Sequence, residues 1–188
     1  MKLLVIDNYD SFVYNLVALI RETTKAPLRV VKNDQVDLET LHQYSHILLS
    51  PGPGIPSEAG KMMEVLERVA PHTSVLGVCL GHQAIAEFSG ARLQQLNAPL
   101  HGVSSALVQT QTDSLFETTP KTFQIGHYHS WVVAEDSVPN SLDVLAFDEQ
   151  HNIMAIKHKG FPWRGVQFHP ESILTEHGKT LISNWIKN

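Results

Sequence analysis

The 188-residue sequence contains a single cysteine, Cys79, so no disulfide can form within the chain. That usage fits a reducing compartment. No apolar run approaches the ~20 residues that span a membrane. The opening apolar run, residues 3–6, is too short for a signal peptide and is followed by Asp7. These absences predict a soluble, cytoplasmic protein.

Clusters of basic residues are also absent. The chain carries 14 Lys and Arg residues against 19 Asp and Glu residues, a formal net charge of −5. A surface that follows a phosphate backbone needs grouped positive charge, so we do not expect nucleic acid as the main partner. Internal repeats, low-complexity tracts and linkers are missing as well. The length suits one domain with its own core, which we place at residues 1–188.

The first half of the chain alternates predicted strands with predicted helices. Apolar runs predict strands at residues 3–6, 28–31, 46–50 and 74–78. Apolar residues at helical spacing predict a helix capped by Asp10 or Ser11, a weak helix over 38–43, a helix capped by Ser57, and a helix over 82–89 that Gly90 stops. This alternation predicts crossover connections and a parallel sheet.

The second half is richer in strands. Short strands are predicted at residues 103–110, 122–126, 131–134, 142–147, 153–157 and 165–168, and a closing helix at 175–187. The predicted fold is therefore a single α/β domain. It has a mainly parallel central sheet flanked by helices, and a β-rich second half.

Cys79 lies between a predicted strand and a predicted helix, within Gly77-Val78-Cys79-Leu80-Gly81. A sharp strand-to-helix turn presents its side chain above the sheet, and the partial positive charge of the helix N-terminus favours thiolate over thiol. A structural cysteine is more often a small apolar side chain inside an element. The pattern therefore favours a nucleophile.

His169 and Glu171 could supply the base that such a nucleophile needs. They follow a predicted strand in Phe168-His169-Pro170-Glu171, and the proline favours an extended conformation at His169. Side chains two apart in extended chain point the same way, so the carboxylate could fix the tautomer of the imidazole. The alternative is a surface histidine followed by a helix entry.

The loop Ser50-Pro51-Gly52-Pro53-Gly54 follows another predicted strand. Glycines allow a backbone to approach a ligand closely, so the N–H of Gly52 or Gly54 could face developing negative charge. The N–H of Leu80 is the natural second donor. An ordinary rigid turn before a helix would have the same composition.

Three further residue sets have less specific patterns. Gln83 lies one helical turn after Cys79, where its amide could recognise an amino acid or simply face solvent. His127 and His129 could chelate a metal on a strand, but no supporting ligand is near in sequence, so we expect no metal site. Residues 7–12, a polar turn after the first strand, could cap a helix or contact a partner.

Together these segments resemble the class I (triad) glutamine amidotransferases over essentially the whole chain. The matching segments occur in the family's order: Asp7-Asn8-Tyr9-Asp10-Ser11-Phe12, Ser50-Pro51-Gly52-Pro53-Gly54, Gly77-Val78-Cys79-Leu80-Gly81-His82-Gln83, Tyr128-His129-Ser130 and Gln167-Phe168-His169-Pro170-Glu171. Five ordered motifs are far more specific than one. The first and the fourth look like component II of anthranilate synthase and the related glutaminase of aminodeoxychorismate synthase. The implied fold is flavodoxin-like.

The resemblance implies a mechanism and a partner. Cys79 would be the nucleophile, His169 the base and acid, and Glu171 its support. The backbone of Gly52 and Leu80 would hold the oxyanion. Glutamine would bind at Gly52, Pro53, Gly54, Gln83, Ser130 and Trp131. Ammonia would pass to a chorismate-using synthase subunit. No cofactor is expected on this chain, and any Mg²⁺ requirement would belong to that partner.

The chain departs from the family pattern at Trp131, where leucine is common, and at Val103, where lysine often follows His-Gly. The final product, anthranilate or aminodeoxychorismate or both, depends on the partner. Other hypotheses are the glutaminase half of guanylate or carbamoyl phosphate synthesis, and a regulatory subunit without turnover. The identity of the co-encoded large subunit would distinguish these other amidotransferases from a chorismate-using one. Trapping of a γ-glutamyl thioester would exclude the regulatory subunit without turnover.

Overall fold

The computed structural model describes all residues, 1–188, as nine strands and four α-helices. In chain order the elements are β1 Leu3–Asp7, α1 Val13–Thr23, β2 Leu28–Lys32, β3 His46–Leu49, α2 Met62–Arg68, β4 Ser74–Val78, α3 Leu80–Phe88, β5 Leu93–Gln109, β6 Thr122–Val133, β7 Leu142–Asp148, β8 Ile153–His158, β9 Trp163–Val166 and α4 Gly178–Lys187. Short 3-10 turns lie at Leu38–Gln43, Pro56–Glu58, Ser114–Phe116 and Glu135–Ser137.

The strands form one mixed sheet in the order β2-β1-β3-β4-β9-β8-β7-β5-β6. The pairs from β2 to β9 are parallel, and the pairs from β9 to β6 are antiparallel. This confirms the predicted α/β fold with a parallel first half and a β-rich second half. The parallel strands β1, β3, β4 and β9 all end at one edge, where ligands bind in such sheets.

Two apolar cores cover the two faces of the parallel strands. Alternate residues of β1 belong to different cores, because successive side chains of a strand point to opposite faces: Leu3 and Val5 pack with α1 and α4, and Leu4 and Ile6 with α2 and α3. The fully buried strands and the helices on both faces make three layers. The sheet is therefore a rigid support for the loops at its carboxyl edge.

The hairpin of β5 and β6 differs most from the sequence prediction. Residues 122–126 and 131–134 were predicted as separate strands, but they are one strand, because the polar residues between them pair with β5: Tyr128 with His101 and His129 with Leu100. β5 begins at Leu93 instead of residue 103, and two register shifts interrupt its pairing. Polar residues on a partly exposed hairpin hide its strand periodicity.

Several predicted element starts were also wrong. Ser57 lies in a 3-10 turn and caps nothing, and α2 begins later at Met62. The bounds predicted for the weak helix, 38–43, are confirmed, but it is a 3-10 helix, capped by Asp37. Asp10 accepts a hydrogen bond from the Phe12 N–H, which precedes α1 without capping it.

The last strand and helix also differ from the predicted bounds. The final strand ends at Val166 and not at residue 168, and α4 begins at Gly178 and not at residue 175. Residues 167–177 therefore form a connection that crosses the carboxyl edge of the sheet. None of the helices is long and apolar enough to cross a membrane.

Candidate functional site

Cys79 lies at the point where β4 turns into α3. Its backbone has φ 51° and ψ −100°, and α3 begins at the next residue, Leu80. A positive φ is rare for a residue with a side chain, so this is a strained position of the kind found at functional sites. The side chain is 5% exposed and lines a pocket, so it is accessible only from within that pocket.

Close packing of glycines holds this turn against the sheet. A Cβ on Gly77 would lie 2.3 Å from the Gly81 carbonyl, and a Cβ on Gly81 would lie 2.3 Å from the Leu49 carbonyl. Neither position can accept a side chain without moving α3 away from β3 and β4. The glycines on both sides of Cys79 therefore fix the direction of the helix N-terminus beneath the sulfur.

His169 and Glu171 form a buried hydrogen-bonded pair in the connection after β9. His169 Nδ1 lies 2.7 Å from Glu171 Oε1, and the two side chains are 3% and 0% exposed. The backbone around His169 is fixed from both sides, because its N–H donates to Gly126 of β6 and its carbonyl accepts from Thr175 Oγ1. The second ring nitrogen, Nε2, is buried, and since Nδ1 is held by Glu171, it is the nitrogen left to interact with Cys79.

The charge of His169 is set by its neighbours. Burial opposes the imidazolium, but hydrogen bonding and charge from Cys79 and Glu171 outweigh it and raise the pKa of His169 to about 10. Burial is the larger influence at His129, with the neighbouring His127 adding to it, and lowers the pKa of His129 to about 3. Of these two imidazoles, His169 alone is positive at neutral pH.

The loop after β3 is held beside Cys79 by Asn8. The Asn8 side chain donates to the Ser50 carbonyl at 2.8 Å, and its backbone N–H donates to Ser50 Oγ at 2.9 Å. A Cβ on Gly52 would lie 2.5 Å from Asn8 Cβ and 2.8 Å from Leu80 Cδ2. Only glycine fits there, so the backbone of Gly52 reaches the start of α3.

The N–H groups of Gly52 and Leu80 can act as an oxyanion hole. The Gly52 N–H donates to no acceptor within the protein. Leu80 is the first residue of α3, where N–H groups lack intrahelical partners. Two donors beside a thiol can stabilise the negative charge that develops on an attacked carbonyl oxygen.

The pocket at this edge has a volume of about 200 Å³, which suits a single small metabolite. It brings together, from three parts of the chain, all six residues expected to bind substrate. The lining consists of Gly52, Pro53, Gly54, Cys79, Gln83, Tyr128, His129, Ser130 and Trp131. Leu80, His169 and Glu171 are not among the lining residues.

A match to a family model covers this whole arrangement. The model of the class-I glutamine amidotransferases matches residues 4–188. The chain belongs to the class-I glutamine amidotransferase family. All the segments that form the pocket lie within the matched residues.

Curated relatives match this amidotransferase over nearly its full length. It is 41% identical to anthranilate synthase component 2 of Pseudomonas aeruginosa, over 98% of this chain and 94% of that protein. It is 40% identical to the bifunctional protein TrpGD of Thermotoga maritima, over 98% of this chain but only 32% of that longer protein.

A solved structure has the same fold. It is a Thermoplasma acidophilum protein described as a GMP synthase subunit, which superposes with a TM-score of 0.88. The superposition covers 100% of this chain and 92% of that chain at 23% sequence identity. This likeness concerns the fold alone.

The amidotransferase uses His127 and His129 to hold its own backbone. The Trp131 carbonyl can only accept, so His129 Nδ1 donates to it at 3.1 Å. His129 Nε2 must then accept from His127 Nδ1, 3.1 Å away, and His127 Nε2 accepts from Ser105 Oγ at 2.7 Å. No group of three or more His, Cys, Asp or Glu side chains in the chain is placed to hold a metal ion.

Sequence reasoning assigned no role to two buried side chains of the site, Asn8 and Gln167, which are 2% and 0% exposed. Both lay inside quoted motifs, but neither is a typical nucleophile, acid or base. A polar residue directly after a buried strand was the only available indication of either. Their partners became visible only once the separate loops were brought together.

Proposed function

We propose that this chain is the glutaminase subunit of a chorismate-using synthase, and that it supplies ammonia for anthranilate, and so for tryptophan synthesis. The buried contact between His169 and Glu171 beside the strained Cys79 turn is the observation that carries the proposal. The similarity to proteins named anthranilate synthase component 2 supports the type of partner.

The proposed reaction begins from a thiolate on Cys79 and an imidazolium on His169. The thiolate attacks the side-chain amide carbon of glutamine, and the N–H groups of Gly52 and Leu80 stabilise the tetrahedral oxyanion. His169 gives its proton to the leaving nitrogen, ammonia departs, and a γ-glutamyl thioester remains on the sulfur. His169 then takes a proton from water, the hydroxide adds to the thioester carbon, and the sulfur leaves as thiolate. Glutamate is released after its new carboxyl group loses its proton to solvent, and the thiolate–imidazolium pair is restored.

Glu171 and the residues that line the pocket have supporting roles in the proposed reaction. The Glu171 carboxylate keeps Nδ1 of His169 protonated, which leaves Nε2 to exchange protons with sulfur, nitrogen and water. The α-amino and α-carboxylate groups of glutamine would contact Gln83 and the backbone of Ser130 and Trp131. Pro53 and Gly54 would close the other side of the pocket. This chemistry uses no cofactor on the chain, and any Mg²⁺ would serve the partner.

A partner at the carboxyl edge of the sheet agrees with the surface there. Ile173, in the connection after β9, is 100% exposed, and Tyr9, in the loop after β1, is 54% exposed. Both loops follow strands at this edge, so these large side chains are available to a protein partner. Ammonia released in the pocket would then leave towards the synthase and not into solvent. We place this complex in the cytoplasm, where a catalytic thiol stays reduced.

Glutamine-dependent synthesis with the partner tests the proposal. The chain would be mixed with the chorismate-using large subunit of its own organism, and anthranilate measured with either glutamine or an ammonium salt as nitrogen source. We expect both sources to work with the wild type and only ammonium to work with Cys79→Ser.

Glutamine-dependent synthesis by Cys79→Ser would contradict the mechanism. Formation of aminodeoxychorismate in place of anthranilate would contradict the proposed product but not the glutaminase role. Amination of a substrate other than chorismate would overturn the choice of partner.

A further inference from the structure

Gln167 is a fully buried polar residue whose two amide ends are both used. It directly follows β9, and its backbone N–H donates to the Met154 carbonyl of β8 at 2.9 Å. Its side-chain Nε2 lies 3.6 Å from Cys79 Sγ, and its Oε1 accepts from Gln83 Nε2 at 3.1 Å. A side chain that is 0% exposed therefore links the sulfur to a residue that lines the pocket.

The direction of this hydrogen-bond chain follows from its last acceptor. The Trp131 carbonyl can only accept, and Gln83 Nε2 donates to it at 2.9 Å. The same NH₂ group donates its other hydrogen to Gln167, so Gln167 must present its oxygen to Gln83 and its NH₂ to sulfur. A reversed Gln83 would place its oxygen against the Trp131 carbonyl, and a reversed Gln167 would place its NH₂ against the NH₂ of Gln83.

The direction of these hydrogen bonds matters at both ends of the chain of contacts, at Cys79 and at Gln83. At one end, an N–H points at Cys79 Sγ, where it stabilises a thiolate more than a neutral thiol. At the other end, the NH₂ of Gln83 is fully occupied, so its Oε1 remains the free acceptor of this pocket side chain. A free amide oxygen suits an ammonium group.

We propose that Gln167 is a further catalytic group of this site, which stabilises the Cys79 thiolate through its N–H and orients Gln83 so that its oxygen receives the α-ammonium of the substrate. The second half of this statement rests on the proposed glutaminase function. The first half does not, since it concerns the sulfur alone.

The charge states of the histidines of the site are compatible with this role of Gln167. His169, with Glu171 behind it, supplies the only positive charge among the imidazoles of the site. Burial lowers the pKa of His82 to about 4, and burial with the adjacent His127 lowers the pKa of His129 to about 3, so both are neutral at pH 7. Gln167 is therefore the uncharged donor at the sulfur, complementary to the cation.

Two substitutions separate the two contacts. Gln167→Glu keeps the shape and the oxygen that accepts from Gln83, but its carboxylate has no N–H for sulfur. Gln167→Met removes both contacts at similar volume. Gln94→Met, at an exposed glutamine on β5, is the matched control. Circular dichroism and thermal unfolding would check that each variant folds.

The decisive readout is the pH dependence of alkylation of Cys79 by iodoacetamide in the isolated protein. Cys79 is the only thiol, so alkylation reports on it alone. We expect the midpoint of the rate profile to move up by about one pH unit in Gln167→Glu and Gln167→Met, a tenfold change in the thiol–thiolate equilibrium. Gln94→Met should match the wild type.

An unchanged or lower midpoint in a folded Gln167 variant would overturn the proposal for sulfur. If Gln167→Met does not fold, Gln167→Leu takes its place, because the negative charge of Gln167→Glu would by itself raise the midpoint. Because alkylation needs neither glutamine nor partner, this result stands even if the chain proves not to be a glutaminase.

Steady-state kinetics with the partner subunit tests the second half of the proposal, that Gln167 orients Gln83 for substrate binding. Gln167→Glu should lower kcat with KM for glutamine within about twofold, whereas Gln167→Met should also raise KM about tenfold, the effect of losing ~1.4 kcal/mol. Equal KM values in the two variants would contradict the role at Gln83.

Discussion

His169 and His129 are buried imidazoles of the same site, yet their partners give them opposite properties. His169 Nδ1 lies 2.7 Å from a carboxylate oxygen of Glu171, and burial is outweighed there by Cys79 and Glu171, so its pKa rises to about 10. His129 Nε2 lies 3.1 Å from another imidazole, His127, and burial together with that neighbour lowers its pKa to about 3.

This difference shows that the partner, more than burial, decides what a buried histidine can do. A carboxylate behind the ring stabilises the cation, so His169 can hold and move a proton. A second imidazole behind the ring stabilises only the neutral form, so His129 serves as a fixed donor to the Trp131 carbonyl. One residue type thus supplies both the proposed acid–base group and part of the pocket wall.

Removal of the carboxylate behind His169 should have the largest effect. Glu171→Gln keeps the shape but cannot stabilise the imidazolium, so we expect kcat for glutamine-dependent synthesis to fall at least ~100-fold. Activity with an ammonium salt should be unchanged. Glu149→Gln, at an exposed carboxylate, is the control. If Glu171→Gln retained most of the glutamine-dependent activity, the claim that this carboxylate makes His169 different from His129 would be contradicted.

Loss of the hydrogen-bond donor of His129 should affect glutamine binding more than the chemical step. His129→Phe fills a similar volume but leaves the Trp131 carbonyl without one of its two donors. We expect KM for glutamine to rise about five- to tenfold, the effect of one lost hydrogen bond of ~1 kcal/mol, while kcat changes less. His72→Phe, at an exposed histidine, controls for the substitution. A fall in kcat as large as that of Glu171→Gln would mean that His129 takes part in proton transfer.

The two histidines should also have opposite effects on stability as the pH changes. His129 has a lowered pKa when folded, so the unfolded chain binds its proton first and stability is lost as pH falls below about 6.5. His169 has a raised pKa when folded, so its contribution is present below about 6.5 and is lost as pH rises towards about 10.

Urea unfolding at pH 7 and pH 5 would measure the effect of His129 on stability. Between these values the wild type should lose about 2 kcal/mol more free energy of unfolding than His129→Phe, because only the wild type resists protonation at that position. Equal losses in the two proteins would show that His129 is not held neutral in the fold.

The parallel half of the fold and the order of its elements followed from sequence alone. Continuous apolar runs such as residues 3–6 and 74–78 predicted buried strands, and the turn at Cys79 lies where a strand pattern meets a helix pattern. Periodicity was sufficient there because these strands are buried on both faces.

The antiparallel half could not be predicted as fully. β5 and β6 carry polar residues on a partly exposed hairpin, so their length was underestimated. Local patterns also give no information on how β6, at the far edge of the strand order, returns to bond with His169 after β9. The contacts of Gln167 with Cys79 and Gln83, and that of Gln83 with Trp131 of β6, join residues far apart in the chain, which is why sequence reasoning missed them.

The most direct test of the central claim is acid quenching of the assembled complex during turnover with glutamine, followed by mass spectrometry of the Cys79 peptide. We predict a γ-glutamyl adduct on Cys79 in the wild type and its absence in Cys79→Ser. The adduct should also fail to form at a comparable rate in Glu171→Gln, where His169 has lost its carboxylate. Glutamine turnover without any adduct on Cys79, or an adduct on another residue, would contradict the account.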